Sequence, residues 1–350
     1  MINIRVPARI CFYGDHQDYL GLPVIAGTIN RFIHLEANPI DKPQFVIQMP
    51  DIGKASTIDL ADDAPIEQDD YLRAALTLLR KEGAVFNQGY AITISGNIPV
   101  NAGLSSSSAL VVCWIRFLVA AQKEHQVFSD ERIAALTYAA EVTFFNQHGG
   151  LMDQYTIAFG GLIFIDTHRV VCQRLNPQMG MLVVAESGLA KQTMTVLKNA
   201  RAYAQNAINA VKKQEPNFDI RTSSLADYDR YKAVVPKDYL PFWYAALHNY
   251  DLTLQAKALL ESQPADPSEL GRLMNAHQHL LETYIQNTPE SMVKQLQAAR
   301  AAGALGTKII GSGGGGCMVA LVEASTKDAV IEAFLQAGAK AAYEVQLTQS

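Results

Sequence analysis

Pro99-Val100-Asn101-Ala102-Gly103-Leu104-Ser105-Ser106-Ser107-Ser108 joins a strand-like run to an apolar helical run. Upstream, Tyr90-Ala91-Ile92-Thr93-Ile94-Ser95 alternates apolar and polar residues and predicts a strand. Downstream, over residues 105–122, apolar side chains recur at helical spacing and predict a buried helix. Between them, Gly103 lets the backbone approach a ligand closely. The new helix offers unpaired N–H groups and the positive end of its dipole, which suits phosphate. Serine hydroxyls add donors, and one can ligate Mg²⁺. A single serine would cap a helix; four in a row after Ala-Gly-Leu exceed that role and point to an anion site. No GxxxxGK[ST] occurs in the chain, so the loop is not a standard P-loop.

Three further segments carry polar chemistry. Arg9, Asp15, His16 and Asp18 crowd into ten residues around Gly14. Carboxylates and an imidazole so placed suit a hydroxyl-rich ligand, with Arg9 facing developing negative charge. Glu141 and Asp153 lie twelve positions apart, the second just after the turn Gly149-Gly150. One carboxylate can hold Mg²⁺ while the other orients or deprotonates an attacking hydroxyl, as phosphoryl transfer requires. Gly311-Ser312-Gly313-Gly314-Gly315-Gly316 matches GxGxxG, but the strand-like Cys317-Met318-Val319-Ala320-Leu321-Val322 follows it. A dinucleotide fingerprint opens a helix instead, so this tract predicts a turn pressed against the first loop or a ligand.

With 350 residues the chain is long enough for two domains, and 49% hydrophobic against 18% charged residues fits a globular protein with a substantial core. A net charge of -5 argues against nucleic acid or an anionic membrane surface as partner. No apolar stretch approaches the roughly 20 residues of a membrane span, and residues 1–9 predict a strand rather than a signal peptide. The scattered Cys11, Cys113, Cys172 and Cys317 predict buried free thiols and a cytoplasmic enzyme. Strands are expected at 2–6, 32–37, 90–95, 161–165, 181–185, 307–310, 318–322 and 341–347. Helices are expected at 71–82, 105–122, 129–145, 191–213, 241–261, 267–286, 289–302 and 327–337, with 215–238 irregular. This mixture lacks regular βαβ alternation and predicts an α+β chain in two domains, 1–175 and 176–350.

In this order the segments resemble the GHMP kinase superfamily, and most closely its galactokinase-like sugar kinases. Val6-Pro7-Ala8-Arg9-Ile10-Cys11-Phe12-Tyr13-Gly14-Asp15-His16-Gln17-Asp18-Tyr19 is similar, without a gap, to the galactokinase signature APGRVNLIGEHTDY. Residues 99–110 resemble the PxGxGLSSSxxL loop, residues 140–154 the AExxFxxxxxGIMDQ pattern, and residues 307–322 the motif KxTGxGxGGCxVAL. The resemblance implies a ribosomal protein S5 domain 2-like N-terminal domain and a ferredoxin-like C-terminal domain, with the site between them. It implies Asp153 as the catalytic carboxylate, with Arg9 lowering the hydroxyl's pKa and stabilising the transferring phosphate. Asp15, His16, Asp18 and Gly150 would bind the substrate. Asn101, Ala102, Gly103, Leu104, Ser105, Ser106, Ser107 and Ser108 would cradle the ATP phosphates, and Ser107 and Glu141 would ligate Mg²⁺. It places the helix starting at Tyr71 beside the adenine, whose own pocket stays unread.

The implied reaction is transfer of the γ-phosphate of ATP to the anomeric hydroxyl of a monosaccharide, galactose or a related sugar. The alternatives are a kinase for a uronic acid, heptose, arabinose or mevalonate, or a non-catalytic sugar and ATP sensor. Four departures bear on the sugar. Asp15 stands where galactokinases carry glutamate, Asn101 and Ala8 replace glycines, His148-Gly149 replaces Pro-Cys, and the segment through Lys191 differs from the galactokinase sequence.

Overall fold

The computed structural model describes the chain except residues 62–64, 125, 148, 176–178, 191–192, 263 and 350 and the side chains of 193–198. His148 and Lys191, two of the departures noted above, therefore lie outside the described residues.

The N-terminal half builds a seven-stranded sheet from β1 (Ile2–Tyr13), β2 (Val24–Ile40), β3 (Gln44–Met49), β4 (Lys54–Asp59), β5 (Gly89–Gly96), β6 (Leu162–Asp166) and β7 (Val171–Leu175). The order is β4-β3-β5-β2-β6-β7, with β1 antiparallel to β2 along its other edge. β2 is long enough to pair with β5 at one end and β6 at the other. β3 and β5 form the parallel pair; the other pairings in this sheet are antiparallel. Four helices accompany the sheet: α1 (Tyr71–Lys81), α2 (Ser106–Ala121), α3 (Asp130–Tyr138) and α4 (Met152–Phe159). α2 packs on β1 and β2 and buries Trp114, Phe117 and Leu118. That burial explains its nearly all-round apolar sequence. Phe45 of β3 meets Trp114 and Phe117 edge-on, with ring centroids 5.6 and 5.3 Å apart, an arrangement that suits the aromatic quadrupole.

The C-terminal half forms a four-stranded antiparallel sheet from β8 (Met181–Glu186), β9 (Gly306–Ile309), β10 (Cys317–Val322) and β11 (Ala341–Val345), in the order β11-β8-β10-β9. That is the ferredoxin-like order, with a helical insertion between its first two strands. The insertion contains α5 (Thr193–Gln214), α6 (Ala226–Tyr231), α7 (Leu240–Glu261), α8 (Pro267–Leu280) and α9 (Glu290–Ala301); α10 (Lys327–Gln336) precedes the last strand. One buried cluster runs through both sheets, from Ile10 and Phe12 of β1 to Leu270 and Met274 of α8 and Val319 of β10. The two halves thus share one apolar core. The fold is the two-domain α+β arrangement expected.

The structure departs from the sequence expectations in places. β1 and β2 are longer than the strands expected at 2–6 and 32–37, because β1 continues through the motif to Tyr13. The hairpin β3–β4 and strand β7 were not anticipated; β4 and β7 are mostly exposed and lack a clear apolar alternation. The helix expected at 129–145 ends at Tyr138 and widens into a π turn, Ala139–Thr143, which carries Glu141. Residues 215–238 contain α6 rather than irregular chain alone.

Candidate active site

The serine loop has an unusual backbone. Asn101, Gly103 and Ser105 all have positive φ, at 55°, 89° and 57°. Such an alternation turns successive N–H groups toward one side and makes an anion-binding concavity. Helices α1, α3 and α8 are capped by the side chains of Asp70, Ser129 and Asp266. In α2, as in α4, α6, α7, α9 and α10, no side chain caps the start, although Ser105 stands at its N-cap position. The first N–H groups of α2 are left without that side-chain acceptor. The hydroxyl of Ser105 donates instead to Asp153 Oδ2 at 2.6 Å.

Arg9 ties the loop to the carboxylate. It lies on β1 between two register shifts, after Pro7 and after Cys11; bulges of this kind re-aim side chains beside active sites. Its Nε donates to Asp153 Oδ1 at 2.7 Å and its Nη1 to Gly103 O at 2.7 Å. Asp153 stands in the first turn of α4, where the helix dipole favours a negative charge. Arg9 is buried to 2% exposure. Burial opposes its charge, but the Asp153 carboxylate prevails and raises the guanidinium above its usual range.

Glu141 sits next to this pair. Ser107 Oγ donates to its Oε1 and Gln154 Nε2 to its Oε2, both at 2.8 Å. Burial pushes the Glu141 carboxyl up, against the hydrogen bonds from Gln154, Ser108 and Ser107. A buried carboxylate and a serine hydroxyl in contact are hard oxygen donors of the kind Mg²⁺ takes. Water and substrate phosphate ordinarily complete its shell.

The tract after β9 packs against the loop from behind. Cys317 N donates to Ala102 O at 2.7 Å. A Cβ on Gly316 would lie 2.7 Å from that same oxygen, so glycine is required for the approach. Ala102, Gly103 and Leu104 thus spend their carbonyls on Cys317, on the Arg9 side chain and on Arg9 N.

Arg9, Asp15, His16, Asp18, Ser107, Ser108, Glu141, Gly150 and Asp153 all border one cavity of about 270 Å³. Asp18 Oδ1 accepts from Tyr19 N at 2.9 Å, and Met152 N at the start of α4 also binds the carboxylate. Burial, with the neighbouring Asp153 charge, pushes the Asp18 carboxyl up to about 6. Gly150 makes room for it: a Cβ there would lie 1.6 Å from Asp18 Oδ2. His16 Nδ1 is 3.1 Å from the Tyr19 hydroxyl, and its Nε2 is 3.0 Å from both Ser312 O and Asn287 Nδ2. Asp15 is the surprise. Its Oδ2 is paired with Lys308 Nζ at 2.6 Å, deep in the interface between the two sheets.

A second, apolar cavity of about 300 Å³ adjoins the first. Ile33, Met49, Ile94, Ile98 and Leu110 line it, together with Asn101 and Ser106 from the loop. Tyr71 and Ser107 border both cavities. Sequence reasoning did not identify this pocket, whose walls come from β2, β3, β5 and α2. It also assigned no role to Gln154, Ser312 or Lys308. All three lay inside quoted motifs, and that was their only signal.

Two family models match the chain: the GHMP kinases N terminal domain over residues 70–161, and the GHMP kinases C terminal domain over residues 255–340. A galactokinase of Roseiflexus sp. (strain RS-1) is 28% identical over 341 residues, covering 93% of this chain and 84% of its own. A mevalonate kinase of Thermococcus gammatolerans is 28% identical over 329 residues, covering 90% and 87%. Among solved structures, the Lactococcus lactis galactokinase complexed with galactose superposes with a TM-score of 0.85 at 20% identity, covering 99% of this chain and 93% of that one. The chain belongs to the GHMP kinase family and is a phosphotransferase with an alcohol group as acceptor.

Proposed function

We propose that this kinase transfers the γ-phosphate of ATP to the anomeric hydroxyl of a neutral monosaccharide, with galactose the leading candidate. The observation that carries this reading is the polar lining of the first, motif-built cavity. Three buried atoms on bordering residues lack a hydrogen-bond partner: Asp15 Oδ1, Gln154 Oε1 and Ser312 Oγ. Two are acceptors and one is a hydroxyl, so a ligand rich in O–H groups satisfies them. Four carboxylates border the cavity, and Arg9 is the one Lys or Arg side chain among its described lining residues. Arg9 is already paired with Asp153. A substrate carrying its own carboxylate, such as mevalonate or a uronic acid, would meet like charge without a free counter-ion.

In this reading the apolar cavity takes the nucleoside of ATP, and its phosphates lie along Asn101 to Ser108 over the open end of α2. Ser107 and Glu141 would hold Mg²⁺, which supplies charge neutralisation on the phosphates when bound. The sugar occupies the first cavity, its hydroxyls on Asp15, His16 and Asp18, with Gly150 keeping the wall open. Asp153 accepts the proton of the anomeric hydroxyl. That oxygen bonds to the γ-phosphorus as the bond to the ADP oxygen breaks. Arg9, bonded to both Asp153 and the phosphate loop, stabilises the charge that develops between them.

We also propose a division of the chain at 175/176, supported by the separation of the two sheets, and a cytoplasmic setting. The second rests on the four free cysteines; no helix among the described residues is long and apolar enough to cross a membrane. The test is ATP-dependent phosphorylation by the purified protein of galactose, other aldoses, uronic acids and mevalonate. Turnover of neutral aldoses alone supports the proposal. Preference for an acid overturns it, and nucleotide binding without turnover of any acceptor favours a sensor.

A further inference from the structure

We propose that Lys308 is a positioning residue of the acceptor site: from the C-terminal sheet it holds Asp15 so that one carboxylate oxygen is reserved for the substrate. This rests on the reading of Asp15 as an acceptor-binding group. Lys308 lies on β9 and Asp15 in the turn after β1, 293 positions apart, and the two side chains are 0% and 1% exposed. Lys308 Nζ has three acceptors: Asp15 Oδ2 at 2.6 Å, Cys11 O at 2.9 Å and Ile309 O at 2.6 Å. They match its three N–H groups, so the ammonium has no donor left for a ligand. Its effect on the substrate is exerted through Asp15.

The rest of the turn is fixed as firmly. Asn249 Nδ2, from α7, donates to Asp15 O at 2.8 Å. With the main chain and Oδ2 both held, Oδ1 is buried without a partner on a residue that borders the cavity. Both oxygens of Glu141 and of Asp153 are engaged within the protein, and the Asp18 carboxylate accepts from Tyr19 N and Met152 N. Among the described residues of this wall, Asp15 Oδ1 is the buried carboxylate oxygen with an unmet need for a donor.

The groups facing Asp15 keep it ionised. Burial works against its charge, but Lys308 on β9, with His16 beside it, outweighs that and holds the carboxyl below its ordinary value. His277 is itself pushed down to about 3 by burial and by Lys308, so it stays neutral. Arg9 and Cys11 on β1 and Asp18 complete the charged and titratable surroundings. An ion pair this deep contributes little stability over an apolar pair of similar volume. Its place beneath the cavity is accounted for by what it does to Asp15, whose side chain is one methylene shorter than glutamate and meets the ammonium at the cavity floor.

The test compares Lys308→Met, Asp15→Asn and the double variant with the parent, using galactose as acceptor. The galactose KM, the ATP KM, kcat and the melting temperature are each measured. The galactose KM is expected to rise roughly tenfold or more in all three, the size of a lost charge-assisted hydrogen bond, while kcat and the ATP KM move little. Lys308→Met should melt earlier, because it leaves a buried carboxylate unpaired. The double variant, which has no such charge, should recover the melting temperature but not the galactose KM. Recovery of both in the double variant would reduce the pair to a structural role and overturn the proposal. So would an unchanged galactose KM in any folded variant lacking Lys308, or a parallel rise in the ATP KM. If the parent phosphorylates a different acceptor, the sugar reading fails separately, and the same variants measured with that acceptor still decide the role of Lys308.

Discussion

Replacing Asp153 with asparagine removes a charge while keeping the shape of the site. The carboxylate accepts from Arg9 Nε at 2.7 Å and from Ser105 Oγ at 2.6 Å. In Asp153→Asn the amide oxygen can still accept from Arg9. The amide nitrogen then faces Ser105, whose hydroxyl can turn and become the acceptor. Arg9 also keeps its bond to Gly103 O. The loss to stability is the counter-ion of a guanidinium that is 2% exposed, together with a weaker bond from Ser105, about 2 kcal/mol before screening. It is discounted further because the Asp153 side chain is 30% exposed. The loss to catalysis is much larger. An amide cannot take the hydroxyl proton, and the variant should turn over on the order of 10³-fold more slowly, about 4 kcal/mol of barrier. The assay is coupled ADP release at saturating ATP with the parent's best acceptor, beside a melting curve. A kcat within about tenfold of the parent in a folded variant would refute the role given to Asp153.

Three other outcomes follow from the same geometry. Ser107→Ala removes the hydroxyl bonded to Glu141 Oε1 and should raise the Mg²⁺ concentration needed for half-maximal rate; an unchanged metal titration would count against Ser107 as a ligand. Gly150→Ala places a Cβ 1.6 Å from Asp18 Oδ2, and should raise the acceptor KM roughly tenfold or more with little change in the ATP KM. A normal acceptor KM in that variant would show that Asp18 can move aside without cost. Asp18 is pushed up to about 6 by burial and the Asp153 charge, so it is ionised above that pH and protonates below it. The acceptor KM should therefore climb as pH falls through about 6, and Asp18→Asn should flatten that limb; a parental profile in Asp18→Asn would assign the titration to another group.

Legibility of the site followed chain continuity. Groups that act on one ligand from neighbouring positions leave a local pattern, as in Arg9 to Asp18 or Asn101 to Ser108. The ferredoxin-like half was readable because β8, β10 and α10 are buried enough to keep their apolar periodicity. The hairpin β3–β4 was not, since β4 reads Lys-Ala-Ser-Thr-Ile-Asp and buries only Ile58. The π turn at Glu141 depends on how its helix meets α1 and α4, a tertiary matter that residue types do not record. Long-range pairings were invisible for a related reason. Nothing near Lys308 announces that its ammonium will lie against Asp15, and nothing near Ser105 separates a capping serine from one that donates to Asp153. The apolar cavity is assembled from single residues of several strands, each of which reads as ordinary core.

The central claim is that the phosphate passes to the anomeric oxygen of a neutral sugar. The most direct measurement is ³¹P NMR of one reaction containing the protein, ATP, Mg²⁺, galactose and mevalonate, repeated with methyl galactoside replacing galactose. The account predicts a sugar phosphate at the anomeric position in the first mixture, no mevalonate phosphate in either, and no sugar phosphate once the anomeric oxygen is methylated. Mevalonate phosphate, or phosphorylation of methyl galactoside, would contradict it.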